Sequence, residues 1–180
     1  VKDISFEVRG GEILGIAGIA GSGQKELLEA IAGLQKVESG SVTYHPPGES
    51  GAEELVGRTP LAIEDLGIAL SFVPEDRLGM GLVGTMNLSD NMMLRSFRKG
   101  KSFFTDRKSP RRLAKQIVEE LSVKTPSIDT PVRKLSGGNV QKVLVGREIA
   151  SAPKVLLTAY AVRGLDINSS HTIYDLINQQ

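Results

Sequence analysis

Residues 12–28 read Glu12-Ile13-Leu14-Gly15-Ile16-Ala17-Gly18-Ile19-Ala20-Gly21-Ser22-Gly23-Gln24-Lys25-Glu26-Leu27-Leu28, and the order of this stretch decides the fold class. Glu12 to Ala17 is a mostly apolar run with the composition of a strand. The glycines Gly15, Gly18, Gly21 and Gly23 follow, and Leu27, Leu28, Ile31 and Leu34 then recur at helical spacing, with Gly33 near the stop. Strand, glycine loop and helix in this order point backbone N–H groups and a helix N-terminus at one place, where an anion can be held. The six residues Gly18 to Gly23 have the glycine frame of a phosphate-binding loop. A glycine-rich turn that merely lets helix and sheet pack closely would look similar. The dinucleotide frame G-x-G-x-x-G is excluded, because Glu26 stands where its last glycine would fall.

Outward from this stretch the pattern is that of an α/β core. Ile4, Phe6 and Val8 alternate with Ser5, Glu7 and Arg9, and Gly10-Gly11 turns the chain, which predicts a hairpin with the strand at 12–17. Ser41 to Tyr44 reads as a short strand, Pro46-Pro47-Gly48 opens a polar loop running to about residue 60, and Ile68 to Val73 is a buried strand closed by Pro74. Leu88, Met92 and Met93 predict a short helix. A basic linker follows, and then a helix with Pro110 in its first turn and Leu113, Ile117, Val118 and Leu121 on one face. Gly137-Gly138 opens one more helix, and Val155 to Thr158 reads as a buried strand. The chain begins at Val1 and ends at Gln180 within an amphipathic helix, which suggests a piece of something longer.

Composition narrows the chemistry. The 180 residues include no Cys and only His45 and His171, which argues against disulfide scaffolds, thiol nucleophiles, iron–sulfur clusters and histidine-based metal centres. No apolar stretch has the length of a membrane span, and no secretory signal opens the chain, so a cytoplasmic location is expected. Net charge is +1, from 22 basic and 21 acidic residues, but it is uneven. Arg95, Arg98, Lys99, Lys101, Arg107, Lys108, Arg111, Arg112 and Lys115 against Asp106 give +8, which leaves −7 for the rest. Such a belt suits nucleic acid, anionic lipid or an acidic partner, or is simply a solvated face.

Leu135-Ser136-Gly137-Gly138-Asn139, followed by Gln141 and Lys142, resembles the signature motif of ABC-type ATPases. Arg163-Gly164-Leu165-Asp166 downstream looks like the D-loop of that family, and the glycine frame upstream its P-loop. Pro74-Glu75-Asp76-Arg77, with Gly81-Leu82-Val83 and Asn91-Met92, is similar to the second, C-terminal ATPase half of fused two-half proteins that energise sugar or nucleoside importers. Glu75 takes the Q-loop position, and Arg147-Glu148 and the missing Walker B acid lean towards the nucleoside branch.

The resemblance implies a P-loop NTPase core of ABC type with a small antiparallel β part and an inserted helical subdomain. Its boundaries would be 1–85 for the first part of the core, 86–137 for the helical subdomain ending at the signature motif, and 138–180 for the truncated second part. Gly18, Gly21, Ser22, Gly23, Gln24, Lys25 and Glu75 would face nucleotide. A signature serine and glycine amides at a helix N-terminus, here Ser136, Gly137, Gly138 and Asn139, would grip ATP held on the opposing half. Partners would be the N-terminal ATPase half of the same polypeptide, transmembrane permease subunits and, indirectly, an extracytoplasmic solute-binding protein, with no nucleic acid. The location would be the cytoplasmic face of the membrane, peripherally.

The departures from the family pattern bear on mechanism. Gln24 and Lys25 stand where Lys and then Ser/Thr are called for, and one helical position is a rotation of about 100°. Alignment on the D-loop puts Ala159 at the Walker B aspartate and Tyr160 at the glutamate that activates water. Neither an ammonium nor an alanine can ligate magnesium, and a neutral phenol of pKa about 10 is a poor base. ATP is the implied cofactor, with magnesium expected at the partner's site and not at this one. A hydrolytically active half, a nucleic-acid-linked ABC protein and a purely structural half remain alternatives from the residues alone.

Overall fold

The computed structural model describes every residue except Ala20, Glu49, 98–105 and Gln180. Ala20 of the glycine loop and Arg98, Lys99 and Lys101 of the basic belt therefore lie outside the described residues. The chain divides into two compact units, Val1–Leu70 and Ser71–Gln180, and each is taken by itself.

In the first unit, helix α1 (Gln24–Ile31) starts from Gly23, whose φ of 100° only glycine adopts readily. It stops at Gly33, at φ 73°, where a Cβ would also lie 2.6 Å from the carbonyl oxygen of Arg58. Strands β1 (Thr43–Tyr44) and β2 (Glu53–Glu54) pair antiparallel, Thr43 opposite Glu54 and Tyr44 opposite Glu53. Glu54 pins this corner by accepting the N–H groups of Val56 at 2.8 Å and Val42 at 2.9 Å. Those bonds hold its carboxyl below the usual carboxylate range. Helix α2 (Pro60–Asp65) is capped by Thr59, which accepts from Ala62 N–H, and carries proline at its first position. Leu55, Ile63 and Ile68 form the small core of this unit, with Val42, Tyr44 and Leu70 against it.

Two sequence expectations fail here. The stretch before Gly18 is not a hairpin of strands: it turns at Gly10-Gly11, where Glu12 N–H donates to Arg9 O at 3.0 Å, but no ladder forms. Ile4, Phe6, Val8, Ile13 and Ile16 all remain exposed. An isolated pair of strands is marginal without a third strand or a helix to cover its apolar face, and no described element covers this one. The antiparallel part is instead β1, within the strand read at Ser41 to Tyr44, paired with β2, which lies inside the region read as a loop.

In the second unit, β3 (Leu70–Val73), whose first residue belongs to the first unit, lies beside β4 (Val155–Thr158). The residues of β4 are half-buried rather than buried. Around them pack α3 (Leu88–Met93), α4 (Lys108–Glu120), α5 (Gly137–Ala150) and α6 (Ile167–Asn178). Helix α5 is the spine, with every position from Val140 to Ile149 buried except Lys142. A helix apolar on most sides is a helix enclosed by others. Gly146 permits the approach of α4, since a Cβ there would lie 2.9 Å from Ile117 Cγ2.

The core also encloses charge. Glu148, at 0% exposure, accepts from Arg147 Nε at 2.9 Å and pairs with Arg95 from the end of α3. Arg147 donates onward to Gly81 O at 2.6 Å. Burial pushes the Glu148 carboxyl up, but the Arg95 hydrogen bond and the charges of Arg147 and Arg95 outweigh it and hold the group below its ordinary value. Burial draws Arg147 below its own ordinary value, against the pull of Glu148.

Candidate functional site

The signature turn sits at the junction of a short strap and the spine helix. Val132 N–H donates to Met86 O and Arg133 N–H to Gly84 O, each at 3.0 Å, which ties residues 131–133 to the segment before α3. That segment is itself wrapped on buried Asn91, which accepts from Val83 N–H at 2.8 Å and donates to Val83 O at 3.1 Å. A single 3₁₀ turn, Val132–Lys134, then delivers Leu135 and Ser136 to the start of α5. Ser136 is the N-cap by backbone geometry, yet its side chain makes no cap bond to the helix. The first backbone N–H of this helix to find a backbone acceptor is that of Val140, which donates to Ser136 O at 2.9 Å. The amides of Gly137, Gly138 and Asn139 are thus the orphan donors of a helix N-terminus, beside an exposed serine hydroxyl.

The turn is fastened to the D-loop stretch. Arg77, in a five-residue π-helix (Arg77–Gly81), donates from Nη1 to Gly137 O at 2.9 Å and from Nη2 to Arg163 O at 2.6 Å. Gln141 donates to Ala161 O at 2.7 Å. Gly138 and Gly164 are in close approach, since a Cβ on Gly138 would lie 3.1 Å from Gly164 O. Leu165 follows, and Asp166 caps α6 by accepting the N–H and hydroxyl of Ser169 at 3.0 and 2.6 Å, which holds its carboxyl low. Glu75 and Arg163 form an exposed ion pair. Together Glu75, Arg77, Leu135, Gly137, Val140 and Arg163 contribute to an open cleft of about 500 Å³.

Arg77 was quoted with Pro74-Glu75-Asp76, but nothing in the sequence marks it as a link between two motifs 60 and 86 residues away. Tyr160, just past the end of β4, is not packed into the core. It is 55% exposed at φ 56°, with the Arg163 guanidinium 5.5 Å from its ring centre. A neutral phenol there offers no carboxylate for activating water, and Ala159 before it has no ligand atom.

In the first unit, the glycine loop is closed by its own side chains. Ser22 Oγ lies 2.8 Å from both Ile19 O and Gln24 Oε1. The Gln24 amide and Ser22 hydroxyl lie over Gly18, where a Cβ would approach Ser22 Oγ to 2.5 Å. Lys25 is turned along α1, 3.8 Å from the carboxylate of Glu29. Neither side chain suits magnesium: the Lys25 ammonium has no lone pair to give, and the Ala159 side chain has no oxygen.

Of the basic belt, Arg95 is bound to Glu148, and Arg111 makes a two-pronged bond to Asp129 at 2.6 and 3.0 Å. That pairing lowers the Asp129 carboxyl and raises the Arg111 guanidinium. Arg107, Lys108, Arg112 and Lys115 are exposed.

This α/β arrangement is that of the ATP-binding cassettes. The dimeric bacterial ABC transporter cassette MJ0796 superposes with a TM-score of 0.78 at 20% identity, over 97% of this chain and 72% of that one. The chain belongs to the ABC transporter family, whose profile matches residues 1–158. It is 36% identical to the guanosine import ATP-binding protein NupO of Bacillus subtilis (strain 168), over 100% of this chain and 34% of that protein. It is also 36% identical to the ribose import ATP-binding protein RbsA 1 of Rubrobacter xylanophilus, over 99% of this chain and 35% of that protein. A nucleoside import ATP-binding protein, NupA of Lactococcus lactis subsp. cremoris, is likewise 36% identical over 99% of this chain and 34% of its own length. The chain thus spans about a third of the length of the curated relatives it matches.

Proposed function

We propose that the chain is the second, C-terminal ATP-binding half of an importer ATPase for a simple sugar or a nucleoside. In this reading it lends its signature turn to ATP held by the N-terminal half of the same polypeptide. The guanosine, nucleoside and ribose import proteins that it resembles support the solute class, and the string Pro74-Glu75-Asp76-Arg77 supports the C-terminal position. Permease subunits would carry the pore, since no described helix is long and apolar enough to cross a membrane. The polypeptide would bind peripherally at the cytoplasmic face, fed indirectly by an extracytoplasmic solute-binding protein. The helical segment from about 86 to 137, with the basic belt, would face the permease.

One contrast carries the reading. The signature turn presents orphan amides and an exposed hydroxyl on a braced helix end, whereas the glycine loop is filled by Gln24 and its metal and base positions hold Lys25, Ala159 and Tyr160. Preorganised donors aimed at a transferring phosphate are the main protein contribution to such chemistry. Catalysis would then belong to the composite site, with magnesium and base supplied by the other half.

Steady-state ATPase and import of the full-length polypeptide in its reconstituted transporter test this. Ser136→Ala is expected to lower both about 10²-fold. Gln24→Ala and Tyr160→Ala are expected to change them no more than two- to threefold, the equivalent of about 0.5 kcal/mol. Equal losses from all three variants would show that this half is itself catalytic.

A further inference from the structure

Asn139 belongs to the signature motif, and its resemblance to the family motif assigns it to the ATP of the opposing half together with Ser136. The side chain is engaged within the chain at both ends of its amide. Its Oδ1 accepts the backbone N–H of Lys124 at 2.9 Å, and its Nδ2 donates to Ser136 Oγ at 2.9 Å. A backbone N–H can only donate, so the Lys124 bond settles which end of the amide is oxygen. The nitrogen must then point at Ser136, and the serine oxygen is the acceptor in that bond. A hydroxyl has one proton. With one lone pair engaged by Asn139, the proton of Ser136 is turned off the Asn139 amide and is free to donate, on an exposed side chain.

This arrangement replaces the usual N-cap. A capping serine ordinarily turns its oxygen onto the N–H of the second or third helical residue, which engages an orphan amide. Here the third helical residue is Asn139, and its side chain takes the serine oxygen instead, so that the cap bond is absent and the amides stay free. The anchor for Asn139 comes from the far end of α4. Leu121 closes that helix, Ser122 adopts φ 49°, and buried Val123 N–H returns to Val118 O at 2.9 Å, which presents Lys124 N–H to the amide.

We propose that Asn139 is a positioning residue and not a ligand: it holds the Ser136 hydroxyl as a donor directed outward, towards a phosphoryl oxygen. The proposal rests on the reading that Ser136 is lent to ATP, and the test separates the two. It uses the full-length polypeptide in its reconstituted transporter, with kcat and KM for ATP and a thermal melt for each of Ser136→Ala, Asn139→Ala, Asn139→Asp and the two double variants. Asn139→Ala should lower kcat about tenfold with little change in KM, and should cost nothing further on the Ser136→Ala background. Asn139→Asp keeps an acceptor for Lys124 N–H but offers Ser136 only a second acceptor, so the serine proton turns inward. Its loss should be at least as large as that of Asn139→Ala, and should shrink on the Ser136→Ala background.

If Asn139→Ala costs the same with and without the Ser136 hydroxyl, the residue only ties residues 122–125 to α5, and the proposal is overturned while the lent serine stands. If Asn139→Asp matches the parent protein, the polarity argument is wrong even should the alanine variant fail to fold. If Ser136→Ala has no effect, the donor reading fails and takes this assignment with it.

Discussion

Two glycine-bearing turns each open a helix in this chain, Gly21–Gly23 before α1 and Ser136–Gly138 before α5, and their surroundings differ. The first leads into an eight-residue helix with one buried residue, a glutamate. Among the described residues its loop is bonded locally, by Ser22 to Ile19 and Gln24. The second leads into a fourteen-residue helix with nine buried residues and is gripped from outside by Arg77, Gln141 and the Asn139–Lys124 bond. Glycine serves different ends in the two. At Gly138 it admits the carbonyl of Gly164, whereas at Gly18 it makes room for the loop's own flexible side chains. A helix N-terminus becomes a useful donor only when neighbouring structure keeps it from relaxing onto itself, and that bracing is present in the second turn alone.

The contrast is most severely tested by the charge buried near the far end of α5, the helix that the second turn opens. Glu148→Ala leaves Arg147 without its carboxylate in the core, and unfolding in urea should show a loss of about 3–5 kcal/mol. A loss below about 1 kcal/mol would mean that α5 is not held by this trio. The sign with pH follows from the lowered carboxyl. Its contribution is present above the ordinary glutamate value of 4.5 and is lost on acidification, as pH falls through the depressed folded-state value. The parent protein should therefore lose more stability than Glu148→Gln on titration below 4.5.

Next in size is Gly138→Val. Its branched side chain would meet Gly164 O, for which even a Cβ stands at 3.1 Å, and so would drive the signature turn from the D-loop stretch. A misplacement of about 1 Å costs on the order of 10²-fold in rate, read as ATPase of the full-length polypeptide. Full activity would show that the approach is not needed. Arg77→Ala removes two charged donors from carbonyl oxygens and should destabilise the second unit by about 1–2 kcal/mol, the half-exposed arginine being worth less than a buried one. Faster amide hydrogen exchange around Gly137 and Gly164 would accompany it, and an unchanged exchange pattern would count against the link. The smallest effect is expected from Gly18→Ala. The atoms that it meets are the ends of the Ser22 and Gln24 side chains, which can swing away, so stability should change by no more than about 0.5 kcal/mol. A larger loss would show the first loop to be as tightly built as the second.

The elements with a strong local signal were legible before any coordinates. Helix α5 announced itself by Gly137-Gly138, α4 by Pro110 and the spacing of Leu113 to Leu121, and β3 by Ile68 to Val73 before Pro74. Helix α2 was missed although Thr59-Pro60 is a cap followed by proline at the first helical position, because the stretch carries too few apolar residues to show a period. The strands read at 4–8 and 12–17 were wrong for a different reason. Alternation reports what a segment can do when one face is covered, and coverage is supplied by other parts of a molecule.

The sequence by itself determined the family and the glycine frame, and it fixes what the side chains of Lys25, Ala159 and Tyr160 can offer, since residue type alone decides whether an atom can donate, accept or ligate. Tertiary structure decided where the remaining groups point. Arg77 reaches Gly137 and Arg163 across long sequence separations, Glu148 is enclosed between two arginines, and Asn139 turns inward because Lys124 N–H is there to meet it. Hydrogen-bond direction depends on partners brought together by packing, and no spacing along one strand of sequence encodes which of an amide's two ends will find a donor.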